Sequence, residues 1–271
     1  MKNSKIIIGT ASWGSKINFN KSLDIGNSII SMGLNHFDTA PNYGAGYSHY
    51  ILNQLGKRKT ILIDTKYGQD ISLSPKEIAK RIYRFINLKS FKQSFRNITF
   101  SNQERNNKNF WKIEKLEYAL NSYSKELTHC EIKTFYLHSP PYGILNSEYL
   151  ESFFNILNKK SILPGISQPD IKDLDLLINN FPNIRLQFSL ESFWNSKDKI
   201  INKINNLSIN SIFKKLKEDK ISDINVENKF WEDFIEIIDN NNNYRIVLGV
   251  NSYKSVEKLK KITLNFNNII N

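Results

Sequence analysis

Short β-branched runs alternate with stretches whose apolar residues recur every three or four positions, and this alternation repeats along the whole chain. A period of two marks a strand and a period near 3.6 a helix, so the pattern predicts repeated βα units on a parallel sheet. The first strand is read at 5–11 and closes on Ser12-Trp13-Gly14. A helix follows over 21–32, with Leu23, Ile25, Ile29 and Ile30 on one face and Gly33 as its stop. Further strands are predicted at 35–39, 60–65, 133–137, 162–166, 184–189, 207–213 and 245–250. Helices are expected at 47–55, 74–88, 111–127, 147–158, 170–179, 197–204, 228–238 and 254–262. The stretch 89–109, rich in Asn and Lys, keeps no period and reads as an insertion on a βα connection.

Eight such units in 271 residues predict a single-domain α/β fold, the (β/α)8 TIM barrel. An open doubly wound sheet calls for a Gly-rich phosphate turn after its first strand. Gly9-Thr10-Ala11-Ser12-Trp13-Gly14 is not G-x-G-x-x-G, which counts against that fold. In a barrel the reactive side chains gather where the strands end, on one face.

Composition changes little. Hydrophobic residues are 40% and aromatics 12%, enough to build a core and too many for disorder. The net charge of +12 would attract polyanions. The lysines are spread over every solvated face, and dense runs such as Lys57-Arg58-Lys59 fall on predicted turns or helices. No specific nucleic-acid partner is therefore expected. Cys130 is the only cysteine, which excludes an intrachain disulfide and a thiolate cluster. His129 beside it has no companion ligands, so no metal is expected. Ile6-Ile7-Ile8 is too short for a signal-peptide core and no apolar run approaches a membrane span. The expected setting is cytoplasmic, away from membranes; the oligomeric state is left open.

The candidate chemistry lies at predicted strand exits. Asp38 and Tyr43 follow the second strand, Lys66 the third and His138 the fourth. A phenol with an ordinary pKa near 10 needs a neighbouring cation to act as an acid near neutrality. Lys66 can supply that cation, Asp38 can keep the lysine charged, and His138 can hold the oxygen that Tyr43 protonates. His36 and His49 are assigned to packing and surface, and Trp111 and Trp231 to core.

Gly33-Leu34-Asn35-His36-Phe37-Asp38-Thr39-Ala40-Pro41-Asn42-Tyr43-Gly44, then Asp64-Thr65-Lys66-Tyr67-Gly68 and Tyr136-Leu137-His138-Ser139-Pro140, resembles the aldo-keto reductase family. The resemblance implies an NADPH- or NADH-dependent enzyme that reduces the carbonyl of a small molecule. Tyr43 would be the general acid, Lys66 and Asp38 its pKa-lowering pair, and His138 the carbonyl-orienting group. The cofactor residues it implies are Gly9, Thr10, Ser167, Gln168, Gln187, Gly249, Asn251 and Ser252. Gln168 stands where the family has Asn, and Asn251 where it often has Lys or Arg, so NADH and NADPH both remain open. Trp13 matches a family tryptophan of the substrate site, with Tyr67, Tyr142 and Trp194 as further pocket residues. Phe213, at the end of the predicted seventh strand, is the candidate stacking aromatic. The chain is similar to the homologues of bacterial surface-sugar clusters, which implies a sugar or sugar-nucleotide carbonyl. The other reading is a non-catalytic or regulatory barrel of the same family with weakened cofactor binding.

Overall fold

The eight predicted strands are present as β1 (Ile6–Gly9), β2 (His36–Asp38), β3 (Ile61–Tyr67), β4 (Cys130–His138), β5 (Leu163–Ser167), β6 (Arg185–Ser189), β7 (Asn206–Asn210) and β8 (Tyr244–Gly249). The structure is a computed structural model and describes residues 5–68, 108–201, 203–210, 236–238 and 240–260. Each strand pairs in parallel with the next, and β8 returns to β1 to close the barrel. The helices predicted at 74–88 and over most of 228–238, nearly all of the 89–109 insertion, and Phe213 lie outside the described residues.

Strand alternation sorts the side chains. Phe37, Ile63, Phe135, Leu137, Ile166, Leu186, Leu207, Ile246 and Leu248 turn outward and are fully or almost fully buried beneath the helices. The opposite face of the same strands carries Asp38, Asp64, Lys66, Thr134, Tyr136, His138, Ser167, Arg185, Gln187, Ser208 and Arg245, also buried. The greasy layer thus lies between sheet and helices, while the barrel lumen is mostly polar, with Ile7 and Val247 as apolar members.

Among the described residues, the helices that supply the outer half of this layer include α1 (Phe19–Ser31), α2 (Ser48–Gly56), α3 (Ile113–Glu126), α4 (Ser147–Asn158), α5 (Leu174–Asn180) and α6 (Leu190–Ile200). Asn18 caps α1 by accepting from the Lys21 amide at 2.9 Å, and Asn146 caps α4 by accepting from Tyr149 at 2.8 Å. Helix α6 starts at Leu190 rather than at Lys197, because Ser189 ends β6 and caps the helix in one residue, accepting from Ser192 N at 3.1 Å. β7 is described over Asn206–Asn210, and the rest of the range predicted for it, 211–213, lies outside the described residues. Among the described residues no helix is long and apolar enough to cross a membrane.

Register places the chemistry. Gly9 pairs with Asp38, and Asp38 with Asp64. Lys66 pairs with Tyr136, His138 with Ser167, and Ser167 with Gln187. The carboxyl ends of β2 to β6 therefore stand side by side at one mouth.

Candidate active site

Lys66 is the centre of the mouth. It is 1% exposed, and its ammonium donates to the Asp38 carboxylate and, at 3.4 Å, to the Thr39 carbonyl. The same nitrogen lies 5.1 Å from the centre of the Tyr43 ring and 5.6 Å from that of Tyr136. Asp38 Oδ2 also accepts from Gln187 Nε2 at 2.7 Å, and Ser167 Oγ donates to Gln187 Oε1 at 2.7 Å. The His138 ring stands edge-on to Tyr43, with centroids 6.4 Å apart and planes at 84°. Asp38, Tyr43, Lys66 and His138 are thus brought together.

Tyr43 owes its place to the turn it opens, a short 3-10 segment (Tyr43–Gly46) after β2. Gly44 in that turn has φ +59 and donates to the Ala11 carbonyl at 3.1 Å. A Cβ there would overlap the Trp13 carbonyl oxygen, so only glycine lets the turn seat against the exit of β1. Gly165 plays a similar part beneath Tyr136: any side chain would strike that ring, and the ring is what walls Lys66 from below.

The electrostatics are those of buried charges that support one another. Burial lowers the affinity of Lys66 for its proton, but the Asp38 carboxylate, then Tyr43 and Asp64, outweigh it and hold the ammonium more firmly than usual. Burial lifts the Asp38 carboxyl above its ordinary value; Lys66 and Gln187 pull it back without cancelling the rise. For Tyr43, burial raises the phenol above 10, Lys66 opposes it through charge and a hydrogen bond, and Asp38 adds to the rise. Of the expected pKa-lowering pair, only Lys66 pulls in that direction. Asp38 acts indirectly, by keeping Lys66 charged.

Other predicted residues take different places. Trp13 is wholly buried, donates from Nε1 to the Val250 carbonyl at 2.7 Å and packs edge-on against Phe37, so it belongs to the core and not to an open pocket wall. Tyr67 donates to the Phe110 carbonyl at 2.6 Å and stacks on that ring, which ties the end of β3 to the turn Lys108–Trp111. Tyr142 is exposed at the exit of β4, beneath the Lys172 ammonium. Trp194 sits on α6, half-buried, with Lys197 over its ring. Thr10 is fully buried, its hydroxyl committed to the Asp38 carbonyl and Ser48. Sequence reasoning missed Tyr136 and the direct bond from Gln187 to Asp38. Tyr136 was within reach, since it lies two residues before His138 and so shares its face.

The profile of the aldo/keto reductase family matches residues 5–263. The chain belongs to this family. It is an NAD(P)H-dependent oxidoreductase whose substrates are small-molecule carbonyl compounds. Solved structures with the same fold include a thermostable aldo-keto reductase bound to the inhibitor epalrestat, at TM-score 0.63 and 15% identity over 96% of this chain and 90% of that one. A putative aldo-keto reductase from Pseudomonas aeruginosa gives 0.59 and 15%, over 94% and 88%. A glycerol dehydrogenase from Gluconobacter oxydans gives 0.54 and 15%, over 76% and 59%. At such identity the likeness speaks for fold alone. No protein of curated function matches the chain by sequence.

The residues that the family resemblance assigns to the nicotinamide carboxamide can receive one. Ser167 Oγ gives its one proton to Gln187, which leaves it an acceptor for a carboxamide N–H. Gly9 and Gly249 pair across β1 and β8, and among the described residues a Cβ on Gly249 would meet nothing within 4 Å. The adenosine end suits a 2′-phosphate less well. Ser252 Oγ caps the helix at 253–260 by accepting from Ser255 N at 3.2 Å. Ser255 Oγ in turn takes up the amides of Asn251, at 3.2 Å, and Ser252, at 2.9 Å. Asn251 brings no charge to a phosphate.

Proposed function

We propose that this enzyme reduces an aldehyde or ketone with Tyr43 as the proton donor, and that the preferred substrate is a sugar or sugar-nucleotide carbonyl. The observation that carries the first part is the placing of Lys66 between the Asp38 carboxylate and the Tyr43 ring. The bound nicotinamide would supply a hydride to the carbonyl carbon. Ser167, Gln168 and Gln187 are the residues that would hold its carboxamide. What this chain's own groups do is fix the carbonyl oxygen and deliver a proton to it.

As negative charge grows on that oxygen, Tyr43 gives up its proton, and the Lys66 ammonium stabilises the phenolate. Asp38 and Gln187 hold the ammonium in place and charged. His138, whose ring stands edge-on to Tyr43, would donate to the same oxygen. The sugar assignment rests on the likeness of the sequence to homologues of surface-sugar clusters. Lysine beside exposed Tyr142 and half-buried Trp194 suits an anionic ring compound. A cytoplasmic setting, without a specific nucleic-acid partner, goes with this reading.

Replacing Tyr43 by Phe tests the acid. Turnover of a reactive aldehyde such as 4-nitrobenzaldehyde is expected to fall by about 10²–10⁴-fold, the range for removing a positioned general acid. NADPH and NADH binding, followed by nicotinamide fluorescence, should stay within two-fold of wild type by about the margin of the measurement. A Tyr43→Phe enzyme with the wild-type rate sinks the assignment.

A further inference from the structure

Ser48 and His49, the first two residues of α2, are buried behind the catalytic strands and take no part in the proton transfer described above. Three threonines reach them. Ser48 Oγ lies 2.6 Å from Thr10 Oγ1 and 2.9 Å from Thr39 Oγ1, and Thr10 Oγ1 donates to the Asp38 carbonyl at 3.0 Å. Each hydroxyl has one proton to give. The carbonyl can only accept, so the direction of the chain is set: Thr39 donates to Ser48, Ser48 to Thr10, and Thr10 to Asp38. The three hydroxyl residues are each 0% exposed, so water does not compete for these bonds.

His49 forms a second chain. Its Nδ1 lies 2.9 Å from Glu126 Oε2 and its Nε2 lies 3.0 Å from Thr65 Oγ1. A carboxylate only accepts, which puts a ring proton on Nδ1 and leaves Nε2 to meet the Thr65 hydroxyl. Carboxylate, imidazole and hydroxyl in that order activate a nucleophile in some enzymes. Here Thr65 is 0% exposed and no substrate can reach it, so the chain has a different use.

Thr65, in β3, and Thr39, one residue past β2, are the immediate neighbours of Lys66 and Asp38 and turn the other way, toward His49 and Ser48. We infer that Ser48 and His49 are positioning residues: the first turn of α2 ties the backs of β1, β2 and β3 together and thereby sets how closely Asp38, Lys66 and Tyr43 approach one another inside the barrel. The inference rests on the reading of these three side chains as the proton-transfer group. A loss of the outer bonds lets the strand ends slide, and Lys66 then stabilises the Tyr43 anion less.

The test reads the acidity of Tyr43 without needing a substrate. Phenolate absorbance is recorded in a stopped-flow pH jump, ahead of alkaline unfolding, and the signal of the Tyr43→Phe protein is subtracted. Ser48→Ala and Thr65→Val are each expected to move the Tyr43 midpoint upward by at least ~0.5 pH unit, about a three-fold loss of acidity. With 4-nitrobenzaldehyde and NADPH, kcat should fall by about ten-fold while KM stays nearly constant, the mark of an interaction felt in the transition state. Ile51→Ala, a change to a fully buried residue of the same helix, should lower the melting temperature and leave the midpoint in place. Joining Ser48→Ala to Thr39→Val should shift the midpoint no further than either alone, since both cut one chain. An unmoved midpoint in Ser48→Ala and Thr65→Val, with lower melting temperatures, overturns the inference and leaves the hydroxyls a structural role only. A wild-type rate in Tyr43→Phe overturns instead the assignment of the acid, so the two failures are told apart.

Discussion

Gln168 is held in the left-handed region, φ 54, at the exit of β5, and Ser139 likewise, φ 52, at the exit of β4. Both are pinned by the sheet itself, since Ser139 N donates to the Ser167 carbonyl and Gln168 N to the Gln187 carbonyl, each at 2.7 Å. The ladder runs one step past each strand and forces the turn. Left-handed backbone costs a residue with a Cβ roughly 1–2 kcal/mol, and Asn recovers part of this through its short side chain. The resemblance to the family marks Gln168 as a longer amide where Asn is usual; the backbone shows what such an exchange costs. Replacing Gln168 by Asn should therefore stabilise the protein by about 0.5–1 kcal/mol in urea unfolding. A less stable variant would mean that the longer amide makes a contact stronger than the strain it imposes.

Helix α6 shows which features a sequence displays and which it hides. Ser189 belongs at once to the end of β6 and to the cap of α6, with no loop between them. A reading that expects a loop after every strand starts the helix at Lys197, past Leu190 and Phe193, which are its buried face. The Ser189 hydroxyl meets both the Ser192 amide, at 3.1 Å, and the Ser192 hydroxyl, at 2.8 Å. Ser189→Ala should cost about 1 kcal/mol of stability, the usual penalty for losing such a cap, seen as a lower urea midpoint with an unchanged slope. The strands themselves were legible, because each needs an apolar outer face and announces it at a period of two. The clustering of Asp38, Tyr43, Lys66 and His138 was legible for a related reason: the parallel strands of a barrel bring their carboxyl ends to one mouth. His49 was not. It sits on a helix whose pattern gives it no special place, and its partner Glu126 arrives from a helix 77 residues away in the chain. Such a bond exists only once the barrel has closed.

At the scale of the whole barrel, the unusual feature is charge on the inside at two levels. Above lie Asp38 and Lys66; below, Asp64 faces His36, with Nε2 to Oδ1 at 2.9 Å, and the Arg185 guanidinium, whose Nη1 is 4.0 Å from Oδ2. Arg245 joins this floor, its guanidinium brought down to about 10 by burial and then by Arg185. Burial works against a charge on Asp64, but His36, Arg185 and Thr134 outweigh it and hold the carboxyl below its ordinary range. A carboxyl lowered in the folded state stabilises the fold at every pH above its unfolded value, about 4, and that contribution is lost as pH falls through the lowered folded value. Asp38, lifted in the folded state, runs the other way: its share is present in acid and is lost as pH rises through the folded value. Asp64→Asn separates the two. It leaves Arg185 and Arg245 buried without their carboxylate, and at pH 7 it should cost about 3 kcal/mol, the scale for breaking one side of a buried pair. As pH falls toward about 3 the wild-type protein loses what Asp64 contributed, so the gap between the two urea midpoints should narrow. A gap that stays constant across this range would assign the loss to shape rather than charge. The lower ring of the barrel would then be held by packing, and the Arg245 guanidinium by its bonds to the carbonyls of Asn242 and Tyr244.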